Sequence, residues 1–157
     1  MHHTVRLALS IAAPLVVGGL SGIATARSVT DWYPTLQKPA FNPPPWVFGP
    51  VWTALYVLMG IALYGVWRLG WDRAEVRWAI AFFAIQLALN GLWSVLFFGL
   101  RAPGLAFLEI IVLWAAIVAT TLAFWRAAPW AGALIAPYLA WVSFAAVLNG
   151  SIWLLNR

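Results

Sequence analysis

Charge in this chain is confined to the joints between apolar blocks. The blocks run over about 5–26, 46–69, 78–99, 104–125 and 130–155, and nearly all Lys, Arg and Asp residues lie between them or at their edges. A block of about 20 residues, rising about 1.5 Å per residue as a helix, crosses a hydrocarbon core of about 30 Å. Hydrocarbon offers the backbone no hydrogen-bond partner, so a spanning segment must be a helix or belong to a closed barrel. Barrel strands alternate apolar and polar residues over about ten positions, and none of the blocks alternates in this way. The reading is an all-α integral membrane protein, a multi-pass bundle of five transmembrane helices in a single domain. Composition agrees. At 64% hydrophobic and 8% charged, against about 25% charged in soluble domains, the chain cannot cover a globule with polar surface.

The first block imitates a secretory signal, with Arg6, an apolar stretch and the small residues Ala24-Thr25-Ala26. Its apolar stretch is nearer about 20 residues than the usual 7–15 or so, so it is expected to stay as a span. Function classes fall away quickly. There is no cysteine, both histidines (His2 and His3) lie at the N-terminal end, and the acids Asp31, Asp72, Glu75 and Glu109 are scattered. Neither a metal site nor a hydrolytic triad has the residues it needs. The net charge of +5 comes mostly from arginines near span ends, which suits lipid headgroups. No basic run or aromatic-basic platform points to nucleic acid. The lipid bilayer is therefore a partner, and nucleic acid is not. One face holds Arg6, Arg68, Arg73, Arg77 and Arg126 and the other Arg27, Lys38, Arg101 and Arg157, a balance that leaves orientation open under the positive-inside rule. Glu109, inside the fourth block, has no second intramembrane charge with which to form a proton relay.

Eight of the twelve tryptophans lie near block ends, as an interfacial belt requires. Trp52, Trp93, Trp114 and Trp141 lie deeper. At about 100° per residue, Gln86, Asn90, Trp93 and Phe97 share one stripe of the third helix, and Ala81, Ala84, Ala88 and Gly91 share a roughly opposite one. The amides need partners that hydrocarbon cannot give, so their stripe should face the bundle interior. The small-residue stripe then faces outward and admits a second helix closely, which makes Ala81, Ala84 and Ala88 the expected homodimer contact. Gly18, Gly22 and Ala26 on the first helix form a competing small-residue face, equally suited to packing within one chain. Phe48, Trp52 and Tyr56 on the second helix, and Trp141, Ala145, Leu148 and Asn149 on the fifth, form comparable inward stripes. Together these describe either an aromatic, sparsely polar pocket for a flat apolar ligand or ordinary core packing. The segment 27–45 should be an ordered lid, because Pro34, Pro39, Pro43, Pro44 and Pro45 restrict the backbone while Trp32 and Tyr33 supply apolar anchors.

The motifs Trp32-Tyr33-Pro34-Thr35-Leu36-Gln37-Lys38-Pro39, Asn42-Pro43-Pro44 and Gly49-Pro50-Val51-Trp52-Thr53-Ala54-Leu55-Tyr56 resemble those of the tryptophan-rich sensory protein/mitochondrial translocator protein (peripheral-type benzodiazepine receptor) family. Gln86 to Asn90, Trp93, Phe97-Phe98-Gly99, Pro137 to Trp141 and Leu148-Asn149 extend the resemblance over essentially the whole chain.

The resemblance implies a commonly dimeric five-helix membrane protein with a pocket closed by the loop after the first helix, here with lid residues Trp32, Tyr33 and Lys38. The pocket would include Phe48, Trp52, Asn90, Trp93, Trp141, Ala145 and Leu148. The implied ligands are porphyrins such as protoporphyrin IX and haem, benzodiazepine-type compounds and, in some members, cholesterol; no cofactor is required. The implied role is receptor or transport activity in tetrapyrrole handling or stress response. Alternatives are light-dependent porphyrin breakdown, with Trp52 and Trp141 as candidate catalytic residues, and a ligand-responsive scaffold or sterol-binding protein. Two positions depart from the vertebrate pattern. No Tyr lies between Leu148 and Arg157, where the cholesterol motif needs one, and Leu105 stands in place of a pocket Trp. For a porphyrin, Arg27 or Lys38 would meet the ligand carboxylates.

Overall fold

Proline marks where three of the five helices begin. In the computed structural model, which describes residues 2–157, α2 (Pro45–Trp67), α4 (Pro103–Ala127) and α5 (Pro129–Leu155) each carry Pro in the first turn. The missing N–H is no loss there, and the fixed φ is already helical. The remaining helices are α1 (His3–Asp31) and α3 (Ala74–Ser94). All five are long and apolar enough to cross a membrane, and the described residues contain no strand. The protein is a multi-pass, all-α integral membrane protein.

Two boundaries differ from the sequence reading. Helix α1 continues to Asp31 instead of ending near Ala26. Residues 27–31 contain neither Gly nor Pro, and the first breaker is Pro34, so nothing stops the helix earlier. The lid is correspondingly shorter, residues 32–44, with one 3-10 turn at Tyr33–Thr35. Helix α3 starts at Ala74, four residues before the apolar block. Arg73 provides an extended N-cap, and Glu75 lies in the first turn, where a negative charge suits the helix dipole. At its other end α3 widens into a π turn over Val95–Gly99.

The helices pack in a ring: α1 on α2, α2 on α5, α5 on α4, α4 on α3, and α3 back on α1. At Gly60 the backbones of α1 and α2 come close together. A Cβ added there would stand 2.5 Å from the Ile11 Cα and 2.9 Å from the Ser10 carbonyl oxygen. The main core joins Met59, Ala62 and Val66 of α2 to Phe83 of α3, Ile117 and Phe124 of α4 and Ile135, Tyr138 and Val142 of α5. A smaller core of Phe97, Ala106, Leu148 and Ile152 lies under the lid. Leu20, Ile23, Leu108 and Val147 project outward, where lipid, not water, is their solvent.

Glu109 is buried in α4, and neither of its carboxyl oxygens has a hydrogen-bond partner. A buried polar group without a partner costs on the order of 1–3 kcal/mol. Glu109→Met should therefore raise the thermal stability of detergent-solubilised protein. A lower melting temperature would show that the acid is satisfied after all.

Candidate functional site

Within the bundle a buried amide is held between two phenols. Tyr56 of α2 donates its hydroxyl to Asn90 Oδ1 (2.8 Å), and Asn90 Nδ2 donates to the Tyr138 hydroxyl oxygen on α5 (2.9 Å). A second amide works beside it. Trp93 Nε1 donates to Asn149 Oδ1 (3.0 Å), and Asn149 Nδ2 donates to the Pro103 carbonyl at the start of α4 (2.8 Å). Each amide bonds groups on two other helices or on a neighbouring helix start, so both fix how the helices meet. Gln86 is less well served: its Nε2 reaches only the Met59 sulfur at 3.7 Å, and its Oε1 is unpartnered.

Above these amides the helices part around a cavity of about 1090 Å³. Phe48, Trp52, Asn90, Trp93, Trp141, Ala145 and Leu148 all line it, so the three stripes chosen from the sequence meet in one space. The aromatic wall is interlocked. Trp141 meets Trp52 edge-on (6.5 Å, 90°) and Phe48 at 6.0 Å, while Trp52 stacks on Tyr56 at 5.5 Å and Trp93 on Phe97 at 5.2 Å. The Trp141 indole N–H is buried without an acceptor. Trp114, the fourth deep tryptophan, does not take part. It lies on the outer side of α4, with Nε1 donating to Ser143 Oγ at 2.8 Å.

Helix α1 supplies the remaining wall through Gly18, Gly19, Ser21, Gly22, Thr25 and neighbours. Gly18 is required by contact, because an added Cβ would run into the Tyr56 ring. Gly19 and Gly22, with Gly49 of α2, face open space within 4 Å. The first helix's small residues thus serve a cavity wall, which the sequence reading did not assign. Their signal was present only as glycine spacing, and that does not distinguish a packed face from an open one.

Over the cavity lies residues 32–44. Trp32 packs on Phe97 and Tyr33 on Phe98, both at 5.7 Å, so the lid rests on the π turn. Tyr33 donates its hydroxyl to Asn42 Oδ1 (2.9 Å). Burial pushes the Tyr33 hydroxyl's pKa above its ordinary value, an effect the Asn42 bond partly offsets. Asn156, just past α5, clasps the lid at two points: its Oδ1 accepts from the Gln37 N–H and its Nδ2 donates to the Gln37 carbonyl, both at 2.9 Å. No sequence signal marked Asn156. Of the proposed lid residues, Tyr33 and Lys38 line the cavity, whereas Trp32 lies on the smaller core instead. Ala84 and Ala88 are exposed on the outside of α3 and Ala81 is half-buried there.

Among the described residues no group of His, Cys, Asp and Glu is placed to hold a metal. Chemically the site offers aromatic faces, a few amide and hydroxyl groups, and one ammonium from the lid. Asn90→Leu should strand both tyrosine hydroxyls and cost on the order of 2 kcal/mol. The variant's thermal stability should fall markedly; a melting temperature equal to that of wild type would show that Asn90 does not tie the helices.

Residues 10–154 match the TspO/MBR family. The tryptophan-rich protein TspO of Chlorobaculum tepidum is 47% identical over 150 residues, covering 96% of this chain and 95% of the relative. That of Archaeoglobus fulgidus is 44% identical over 155 residues, covering 98% and 99%. The translocator protein of Sus scrofa is 39% identical over 147 residues, covering 90% and 87%. With five spanning helices and near full-length matches of this kind, the chain belongs to the TspO/MBR family and is a membrane protein of receptor type.

Proposed function

We propose that the cavity binds porphyrins such as protoporphyrin IX and haem, and that the protein serves tetrapyrrole handling as a receptor or carrier that needs no cofactor of its own. One observation carries this reading: Phe48, Trp52, Trp93 and Trp141, from three helices, turn their rings to a single cavity of about 1090 Å³. That volume lies just above the range of about 300–1,000 Å³ common for small-molecule sites, which suits a large flat ring better than a small drug-like one. Aromatic pairs add roughly 0.5–1.5 kcal/mol beyond area burial. Among the described residues no His, Cys or Met lines the cavity, so its wall supplies none of these common ligands to a haem iron.

Fluorescence quenching of purified protein by protoporphyrin IX, titrated in the dark, tests the reading. Trp52→Phe and Trp141→Phe should weaken binding a few-fold, and the Ala variants roughly tenfold, because a void then loses packing as well. Unchanged affinity in both folded Ala variants would remove the ligand from this cavity. Repeating the titration under illumination tests a second reading, light-dependent porphyrin breakdown, for which Trp52 and Trp141 both stand at the cavity wall. Ligand loss that needs light and either tryptophan would establish it.

We also propose a homodimer through α3. Ala84 and Ala88 are exposed on the side away from Asn90, beside the exposed Ile85. Gly91 belongs to the same stripe but turns to Val17 and Ser21 of α1, so the free part of the stripe ends near Ala88. Ala84→Trp should shift the solubilised protein toward monomer with ligand binding retained. Crosslinks from residue 84 only to helices of its own protomer would overturn the dimer.

A further inference from the structure

Among the described residues the cavity has one charged lining residue, Lys38. None of the four acids lines it: Asp31 accepts from the neighbouring Thr30 hydroxyl, Asp72 and Glu75 flank the start of α3 beyond the far end of α2, and Glu109 is buried in α4. Arg27 and Arg101 are exposed and absent from the wall, so of the two cations considered for ligand carboxylates the geometry selects Lys38. Its ammonium donates to the Leu36 carbonyl at 3.0 Å and stands 4.8 Å from the centre of the Tyr33 ring. A lysine has three N–H donors, and this one hydrogen bond leaves two without a protein acceptor.

The platform beneath the ammonium is itself fixed. Tyr33 is anchored by its bond to Asn42 and its contact with Phe98. Its hydroxyl, with a pKa raised by burial, is neutral at physiological pH. The ring attracts the cation through its face, not through a charge. The ammonium is thus pre-positioned on the lid side of an apolar cavity, with its charge uncompensated by any lining acid.

We infer that Lys38 receives the acidic group of an amphiphilic ligand whose apolar ring system occupies the aromatic cavity, so that the ligand enters ring-first with its carboxylate held under the lid. This inference rests on the proposed reading of the cavity and specifies its ligand class: flat apolar carboxylates, in preference to their neutral esters.

The test compares protoporphyrin IX with its dimethyl ester as quenchers of wild type, Lys38→Met and Lys38→Arg in detergent. Lys38→Met should raise Kd for the free acid roughly five- to tenfold, the loss of a partly exposed charge-assisted bond, and leave Kd for the ester unchanged. Lys38→Arg should bind the acid within about twofold of wild type. Retained ester binding reports that the Met variant is folded. Equal weakening of acid and ester would make Lys38 a structural part of the lid and overturn the inference, as would acid binding that ignores the substitution. Wild type that binds neither compound overturns the reading of the cavity itself, an outcome distinct from the loss of acid preference alone.

Discussion

An amide buried between three helices determines how this bundle is assembled. Asn90 joins α2 and α5 to α3 through the Tyr56 and Tyr138 hydroxyls, and each of these groups would otherwise be stranded in hydrocarbon. The bonds have a geometric result. They hold Trp52, one turn from Tyr56, and Trp141, three residues beyond Tyr138, at fixed positions around the same space. Polar satisfaction and the aromatic wall are thus one arrangement, and the floor of the cavity is also the tie of the fold.

A second level is built on the first. Trp93 binds Asn149, and Asn149 binds the start of α4. One turn further α3 opens into its π turn, where Phe97 and Phe98 both become available to the lid through Trp32 and Tyr33. π turns place an extra residue in a helix and often occur beside functional sites. With the Asn156 clasp at the other end, the lid is held by aromatic contacts on one side and by backbone hydrogen bonds on the other.

How much of this was legible in the sequence depends on whether one helix or several carried the information. Stripes within a helix were readable: Phe48 and Trp52, Trp93 and Phe97, and Trp141 and Ala145 follow from about 100° per residue alone. That Asn90 needed a partner was readable too. Its partners were not, because Tyr138 lies on another helix and its hydroxyl reaches Asn90 only once the ring order is known. The end of α1 was misplaced because apolar content, not helix-breaking chemistry, set the boundary. Trp114 shows the limit of depth as a guide: it is deep in its span but on the outer side of α4, and depth does not report direction. Asn156 had no readable signal, since its partner is the backbone of Gln37.

The glycines of the cavity wall have a consequence for how such a site diversifies. A Cβ added at Gly19, Gly22 or Gly49 would meet no neighbouring atom within 4 Å, so an alanine there would subtract empty volume without disturbing a packed contact. Within a helix, replacing Gly by Ala is itself favourable by roughly 1 kcal/mol. Ligand size is therefore set at positions that carry little of the fold's stability. Mutation can resize the chamber in small steps while the Asn90 tie stays intact, so selectivity is free to drift in evolution without the usual cost in stability.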